Sequence, residues 1–413
     1  MGAVKTYLGI IVCLLSFKPA FSQQMVGGRV VDAGTGSPLS SISVYLNNTS
    51  MGTTTNENGE FRLDHIPPAK YTLIVSGVSF KTFSKIIDTR GAIPDMTIRL
   101  SSLAELLKGA TVKAPDPAGW EQWGKLFTQL FVGTSPLAEE CRIVNPEVIR
   151  FRKNDDNSLT VYADKPILLH NAGLGYDIRY TLQDFSYDLS SGMLFYSGYA
   201  LFNDLSLIHS RRAAEWRKAR QDVYQGSFLH FKRSLFANNL DAQGFEMHRL
   251  VKVVNGQKQR AKFLFSKRSR LIDTVSKKFV VTSNEVGGKY LVVDSTAYYK
   301  HILKEPDSLI SYLLIPADSV GFAEDSTTAG FYFPDSLEVE YMRKATPGAY
   351  RRASPAGRHQ PHPVSQLILI NKRPIYVLWN GFHYQPEDVK TSGFWAWSET
   401  MATLLPYDYN PTY

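Results

Sequence analysis

The chain has little cysteine. Only Cys13 and Cys141 occur in 413 residues, so the disulfide framework of small secreted domains is excluded. Long apolar runs are also lacking. Leu8 to Phe17 (LGIIVCLLSF) is about ten residues long, and a bilayer core needs roughly twenty. No later stretch is apolar enough for a membrane helix. No His is followed three residues later by Glu, and HExxH does not occur, so those zinc-peptidase ligand sets are excluded. Gly173 and Gly175 lack a third glycine and a following Lys-Ser/Thr pair, which excludes a phosphate loop.

What remains is an ordinary globular composition. The sequence is 44% hydrophobic and 20% charged, enough to build a sizeable core across two or three domains. Lys5, the short apolar run and Ala20-Phe21-Ser22 read as a secretory signal over residues 1–22, with cleavage before Gln23. The expected location is therefore beyond the inner membrane, in the periplasm, at the outer membrane or outside it. Cleavage would leave Cys141 as the sole thiol, and such a cysteine is ordinarily buried. The formal charge of +8 suits a partner with carboxylates or phosphates, but no nucleic-acid reader motif accompanies it.

Residues 23–102 read as short strands: VGGRVVD, ISVYL, EFRL, YTLIVSG and MTIRL. Alternation in ISVYL and EFRL marks half-buried strands, and turns at regular spacing point to a β-sandwich. Thr54-x-Asn56-x-Asn58-Gly59 has the outline of a calcium loop. Its twelfth position is His65 where a bidentate Glu is needed, and two of the would-be ligands are neutral Asn. Asn58-Gly59 between two strands is instead the turn of a hairpin. No metal and no cofactor is expected.

These motifs, G-x-V-x-D, Pro38-Leu39, T-x-x-x-G-x-F and the aromatic Phe80 after YTLIVSG, resemble the carboxypeptidase-regulatory-like domain. The resemblance implies a seven-stranded transthyretin-like, Ig-like sandwich, and the domain's name does not imply a peptidase. LAELLKGATVKA (103–114) is similar to the segment that follows this domain in outer-membrane nutrient receptors of Bacteroidota. The later region resembles the C-terminal part of uncharacterised Bacteroidota envelope proteins that carry the same front domain. That resemblance brings no catalytic residues.

Residues 103–118, with the Pro-rich KAPDPAG, are expected to link the sandwich to a larger domain over 119–413. That domain is expected to be α+β, dominated by antiparallel strands, and the protein as a whole mainly β. Asn154 to Asn157 reads as a hairpin tip. Tyr176, Ile178, Tyr180 and Leu182 share one strand face. SRRAAEWRKARQDVYQGSFLHFKRSLF reads as a helical pair broken at Gly226 and capped by Ser227. The basic residues of the first helix read as a solvated face. QLILINKRPIYVLWNGFHY reads as a hairpin with its bend near Lys372.

His230 and His170 are expected to be hydrogen-bonded core histidines, because no nucleophile or carboxylate is placed beside them by spacing. Trp395 and Trp397 would share a face if extended, and so are candidate glycan contacts, against the commoner reading of buried aromatics. Residues 341–363 read as a mobile basic loop. Arg343, Lys344, Arg351, Arg352 and Arg358 there are candidate contacts for an envelope polysaccharide or partner protein. Asp followed by Ser or Thr and then an apolar residue or Thr occurs six times between 273 and 337. The pattern is similar to an O-glycosylation signal of exported Bacteroidota proteins, with Thr274, Ser295, Ser308, Ser319, Ser326 and Ser336 as acceptors. Turn chemistry explains the same residues. The expected function is non-enzymatic binding or scaffolding in the envelope. The alternatives are a hydrolase of unrecognised type in the C-terminal domain and an accessory to a nutrient transporter.

Overall fold

The computed structural model describes residues 24–103, 116, 118–266, 280–286, 289–294, 296–316 and 319–411. The expected signal segment and most of the Pro-rich joint lie outside them. Two compact units divide the chain: 1–130 with 140–217 and 405–412, and 131–139 with 218–404.

The first unit begins with a sandwich of seven strands: β1 (Gln24–Asp32), β2 (Ser43–Leu46), β3 (Gly52–Thr54), β4 (Glu60–Ile66), β5 (Lys70–Ser76), β6 (Phe83–Asp88) and β7 (Met96–Leu100). One sheet has the order β4-β1-β7, with β7 parallel to β1; the other has the order β3-β2-β5-β6. Val30, Val44, Phe61, Leu73 and Ile98 meet between them. The alternation of EFRL is realised, with Phe61 and Leu63 inward and Glu60 and Arg62 outward.

The turn at Asn56–Gly59 is present, but its flanking strands β3 and β4 lie in different sheets, so it joins the two layers and does not close a hairpin. Asn56 Oδ1 accepts from the amides of Asn58 (3.0 Å) and Glu60 (2.9 Å), which is turn chemistry with no metal required. Gly59 has φ +75°, and a Cβ there would stand 2.5 Å from the Val30 carbonyl oxygen.

A six-stranded antiparallel sheet completes the first unit: β8 (Cys141–Ile143), β9 (Ile149–Lys153), β10 (Ser158–Ala163), β11 (Ile167–Asn171), β12 (Tyr176–Asp188) and β13 (Leu194–Asp204). The β9–β10 turn at Asn154–Asn157 is the expected hairpin tip. Strand β12 is long enough to pair with β11 near its start and β10 near its end, with β13 along its other edge. Helix α1 (Gly119–Phe131) packs Phe127 onto Phe151 and Phe185.

The sandwich is tied to this sheet by backbone hydrogen bonds. Asn48 N–H donates to Ala200 O (2.7 Å), and Phe202 N–H donates to Thr49 O (2.9 Å). The chain's final stretch joins the same turn, with Tyr407 N–H donating to Asn48 O (2.6 Å) and Ser50 N–H to the Asp408 carboxylate (3.0 Å).

The second unit contains β14 (Phe245–Val254), β15 (Val280–Val286), β16 (Lys289–Asp294), β17 (Ser308–Leu314), β18 (Gly321–Asp325), β19 (Thr328–Phe331), β20 (Ser336–Tyr341), β21 (Val364–Leu369), β22 (Ile375–Leu378) and β23 (Val389–Gly393). They form sheets ordered β17-β14-β20-β21-β23, β18-β19-β22 and β15-β16. β21 and β22 fall in different sheets, so the hairpin expected over 366–384 is a crossing between layers, with Lys372 at φ +50° in the bend.

The helical pair is realised as α2 (Ala213–Tyr224) and α3 (Phe228–Phe236), and Ser227 Oγ caps α3 by accepting from His230 N–H (3.0 Å). Phe231 of α3 reaches Phe245, Phe331 and Trp395 at centroid distances of 5.4, 5.7 and 5.3 Å. The stretch 341–363, expected as a mobile loop, carries α4 (Gly348–Ala353) and a 3-10 turn at Ala356–His359. Tyr350 is the reason: its ring is buried against Phe394 and Trp397. Among the described residues no helix is long and apolar enough to cross a membrane.

Gly59→Ala should lower unfolding stability by about 2 kcal/mol, through left-handed strain and the close carbonyl. Urea denaturation checks it, and an unchanged midpoint would contradict the geometry of this turn.

Candidate functional site

Alternation along β8, β11, β12 and β13 sorts their residues onto two faces. Leu169, Ile178 and Phe202 point inward. On the open face a row crosses four strands: Arg142 opposite His170, His170 opposite Asp177, and Asp177 opposite Asn203. The next row places Leu168 opposite Arg179 and Arg179 opposite Leu201. With Ser50, Gly52 and Val144 these residues line a groove of about 560 Å³. His170 Nδ1 and Asp177 Oδ1 lie 2.7 Å apart, and both side chains keep solvent contact. His170 is therefore partly exposed and hydrogen-bonded to Asp177, and not the core histidine expected. Two guanidinium groups flank the pair on an otherwise mixed polar and apolar floor. Guanidinium groups can hold carboxylate, sulfate or phosphate through forked hydrogen bonds. Ser50 Oγ donates to Asp408 and so anchors the tail.

Cys141 and His230 are placed elsewhere. Cys141 is buried, and desolvation pushes its thiol up to about 12, so it stays protonated. His230 is the core histidine expected. Its Nδ1 accepts from Gly226 N–H (3.2 Å) and its Nε2 lies 3.1 Å from Gln243 Oε1. Burial lowers its pKa to about 4, opposed by the hydrogen bond that Nε2–H donates to Gln243. No group of three or more His, Cys, Asp or Glu is arranged to hold a metal among the described residues.

Trp395 and Trp397 do not form an extended aromatic platform. They lie on the short helix α5 (Phe394–Ser398). Trp395 is buried in the core, and its Nε1–H donates to Gly226 O (2.8 Å), while Trp397 packs on Tyr350. A helix turns consecutive i, i+2 residues to different directions, whereas a strand would align them. Arg343 donates to Ala242 O and Lys344 to Asp222 O (2.7 Å); Arg351, Arg352 and Arg358 are exposed. Of the glycosylation candidates, Ser308, Ser319 and Ser326 are exposed and Ser336 is half-buried in β20. Thr274 and Ser295 lie outside the described residues. In the Asp325 motif, Thr327 N–H donates to Asp325 Oδ1 (2.7 Å), which is turn chemistry.

Sequence reasoning missed an ionisable cluster in the second unit, built around a buried lysine and half-buried His383 and Glu399. Lys232 is only 5% exposed. Its Nζ lies 3.0 Å from His383 Nδ1 and 4.9 Å from the centre of the Phe228 ring. Glu399 accepts the Phe228 amide at the start of α3 (2.9 Å). Burial lowers Lys232 to about 7, with Glu399 opposing and Arg233 adding to the shift. Burial and then Lys232 hold His383 well below the imidazole range, and burial raises Glu399.

The signs follow from proton linkage. Between about 7 and 10.5 the unfolded Lys232 binds more protons than the folded one, so stability rises with pH there. His383 acts in the same direction, losing stability as pH falls through the unfolded value of 6.5. Glu399 opposes both just above its unfolded value of 4.5. Urea midpoints of the native protein should rise between about pH 7 and pH 9, and this rise should flatten in Lys232→Met. Parallel profiles for the two proteins would contradict the assignment.

Residues 26–112 match the family described as CarboxypepD_reg-like domain. No curated protein matches the chain. Among solved structures, a cohesin–X-dockerin complex from Acetivibrio cellulolyticus is similar over 19% of this chain and 58% of that one, at 18% identity and TM-score 0.17. The major pilin subunit BcpA of Bacillus cereus is similar over 19% of this chain and 30% of that one, at 10% identity and TM-score 0.17. A candidate carbohydrate binding protein from Bacteroides uniformis is similar over 45% of this chain and 81% of that one, at 13% identity and TM-score 0.17. The chain thus spans less than two thirds of the first two, and at these scores the likenesses carry no argument about function. The seven-stranded sandwich and the matched family agree: the front of this chain is a CarboxypepD_reg-like domain.

Proposed function

We propose that the protein is a non-enzymatic binding module of the cell envelope, and that an acidic, carboxylate-bearing chain occupies the groove over β8, β11, β12 and β13. The observation that carries the reading is the placement of Arg142 and Arg179 on one open face, flanking the His170–Asp177 pair beside apolar Leu168 and Leu201. Guanidinium forks bind carboxylates in two-point contacts, and apolar neighbours lower the local dielectric that weakens such contacts in water. Export is part of this proposal and rests on the charged and apolar start of the sequence.

A polygalacturonate column at about 0.15 M salt tests it. Native protein should be retained, and Arg142→Ala/Arg179→Ala should elute early. Arg351→Ala/Arg352→Ala removes the same charge from the exposed basic helix α4 and should leave retention unchanged. Equal losses in both double variants would reduce the effect to net charge and sink the groove as the site.

O-glycosylation is proposed at the exposed acceptors Ser308, Ser319 and Ser326. Protein purified from its host should then exceed the mass of the cleaved polypeptide, and an intact mass equal to that polypeptide would end the idea.

A further inference from the structure

A second cleft in the first unit, of about 400 Å³, is lined by Asp116, Trp120, Glu147, Ile149, Arg150 and Phe151 among others. Its volume is in the range of roughly 300–1,000 Å³ usual for small-ligand sites. We propose that it binds a neutral pyranose unit of a glycan, stacked on the indole of Trp120. This goes beyond the acidic-ligand groove and uses none of its residues.

Trp120 is 38% exposed, although its ring is large and apolar. The ring is held, not loose. It leans on Phe151 with centroids 6.0 Å apart at 49°. It also lies back over its own helix at Gly124, where a Cβ would stand 2.8 Å from the indole. Glycine in a helix interior costs about 1 kcal/mol relative to alanine. Here it leaves room for the ring, so the exposed aromatic is positioned before any ligand arrives. Ile149 and Phe151 are buried beneath it and keep the floor fixed.

The polar groups around the ring select the ligand class. Arg150 is fixed by its ion pair with Asp164 (2.9 Å) and by the Glu147 carbonyl, and its positive charge disfavours a cation. Asp116, whose Oδ2 accepts from Lys153 N–H (3.2 Å), and exposed Glu147 disfavour an anion. Carboxylates that accept and a guanidinium that donates match a ring of hydroxyls, each of which does both. The C–H face of a pyranose supplies the apolar surface that an indole face covers.

Affinity electrophoresis through native gels containing mannan, laminarin or hydroxyethyl cellulose tests the assignment. Native protein should be retarded by at least one polymer. Trp120→Ala should weaken binding about tenfold or more, and Trp120→Phe should retain part of it. Gly124→Ala keeps the indole and favours the helix but displaces the ring, and should weaken binding without lowering the melting temperature. That variant decides the matter if Trp120→Ala folds poorly. Trp379→Ala, at a distinct exposed tryptophan, should migrate as native protein does. Absence of retardation in all three gels, or equal retardation of native protein, Trp120→Ala and Gly124→Ala, overturns the proposal. Failure of the polygalacturonate experiment leaves this result unaffected, because the two sites share no residue.

Discussion

Backbone pairing between the turn at Asn47–Met51 and strand β13 is the constraint on which the first unit depends. A turn that leaves its amides and carbonyls unpaired against another surface is costly, because each buried unpartnered group forfeits its hydration. Here Asn48 and Thr49 bond to β13, and Tyr407 bonds back to Asn48 from the far end of the chain. Segments widely separated in sequence are thereby fixed to one another. The wall of the groove, Ser50 and Gly52, is a product of that pairing.

The groove and the cleft in this unit, both proposed as binding surfaces, differ in how their side chains are held. In the groove, residue pairing across β8, β11, β12 and β13 sets the spacing of Arg142, His170, Asp177 and Asn203, so strand register does the positioning. In the cleft, one exposed ring is held by a buried phenylalanine and by the room at a helix glycine. The second unit uses its polar groups in another way. Lys232, His383 and Glu399 join three separate stretches of chain around an aromatic core. Their shifted proton affinities come chiefly from burial.

The placement of candidate residues followed local pattern where the pattern was local. Ser227 capped its helix, His230 became a bonded core residue, and Asn58-Gly59 turned the chain. Pattern failed where the partner strand mattered. β3 and β4, and likewise β21 and β22, looked like hairpins because short turns join them, yet each pair is divided between sheets. Tyr350 gave the basic stretch a buried anchor that its low apolar content had hidden.

The sequence by itself determined the sandwich, the antiparallel character of the later strands, the helical pair and the lack of zinc-peptidase motifs. Those features depend on periodicity, turn residues and spacing, which act over a few residues. Only the tertiary structure decided which face of β11 and β12 stays open and which tryptophans are exposed. It also decided that Lys232 is enclosed. Exposure is a property of what packs against a residue, and those neighbours come from segments far away in the chain.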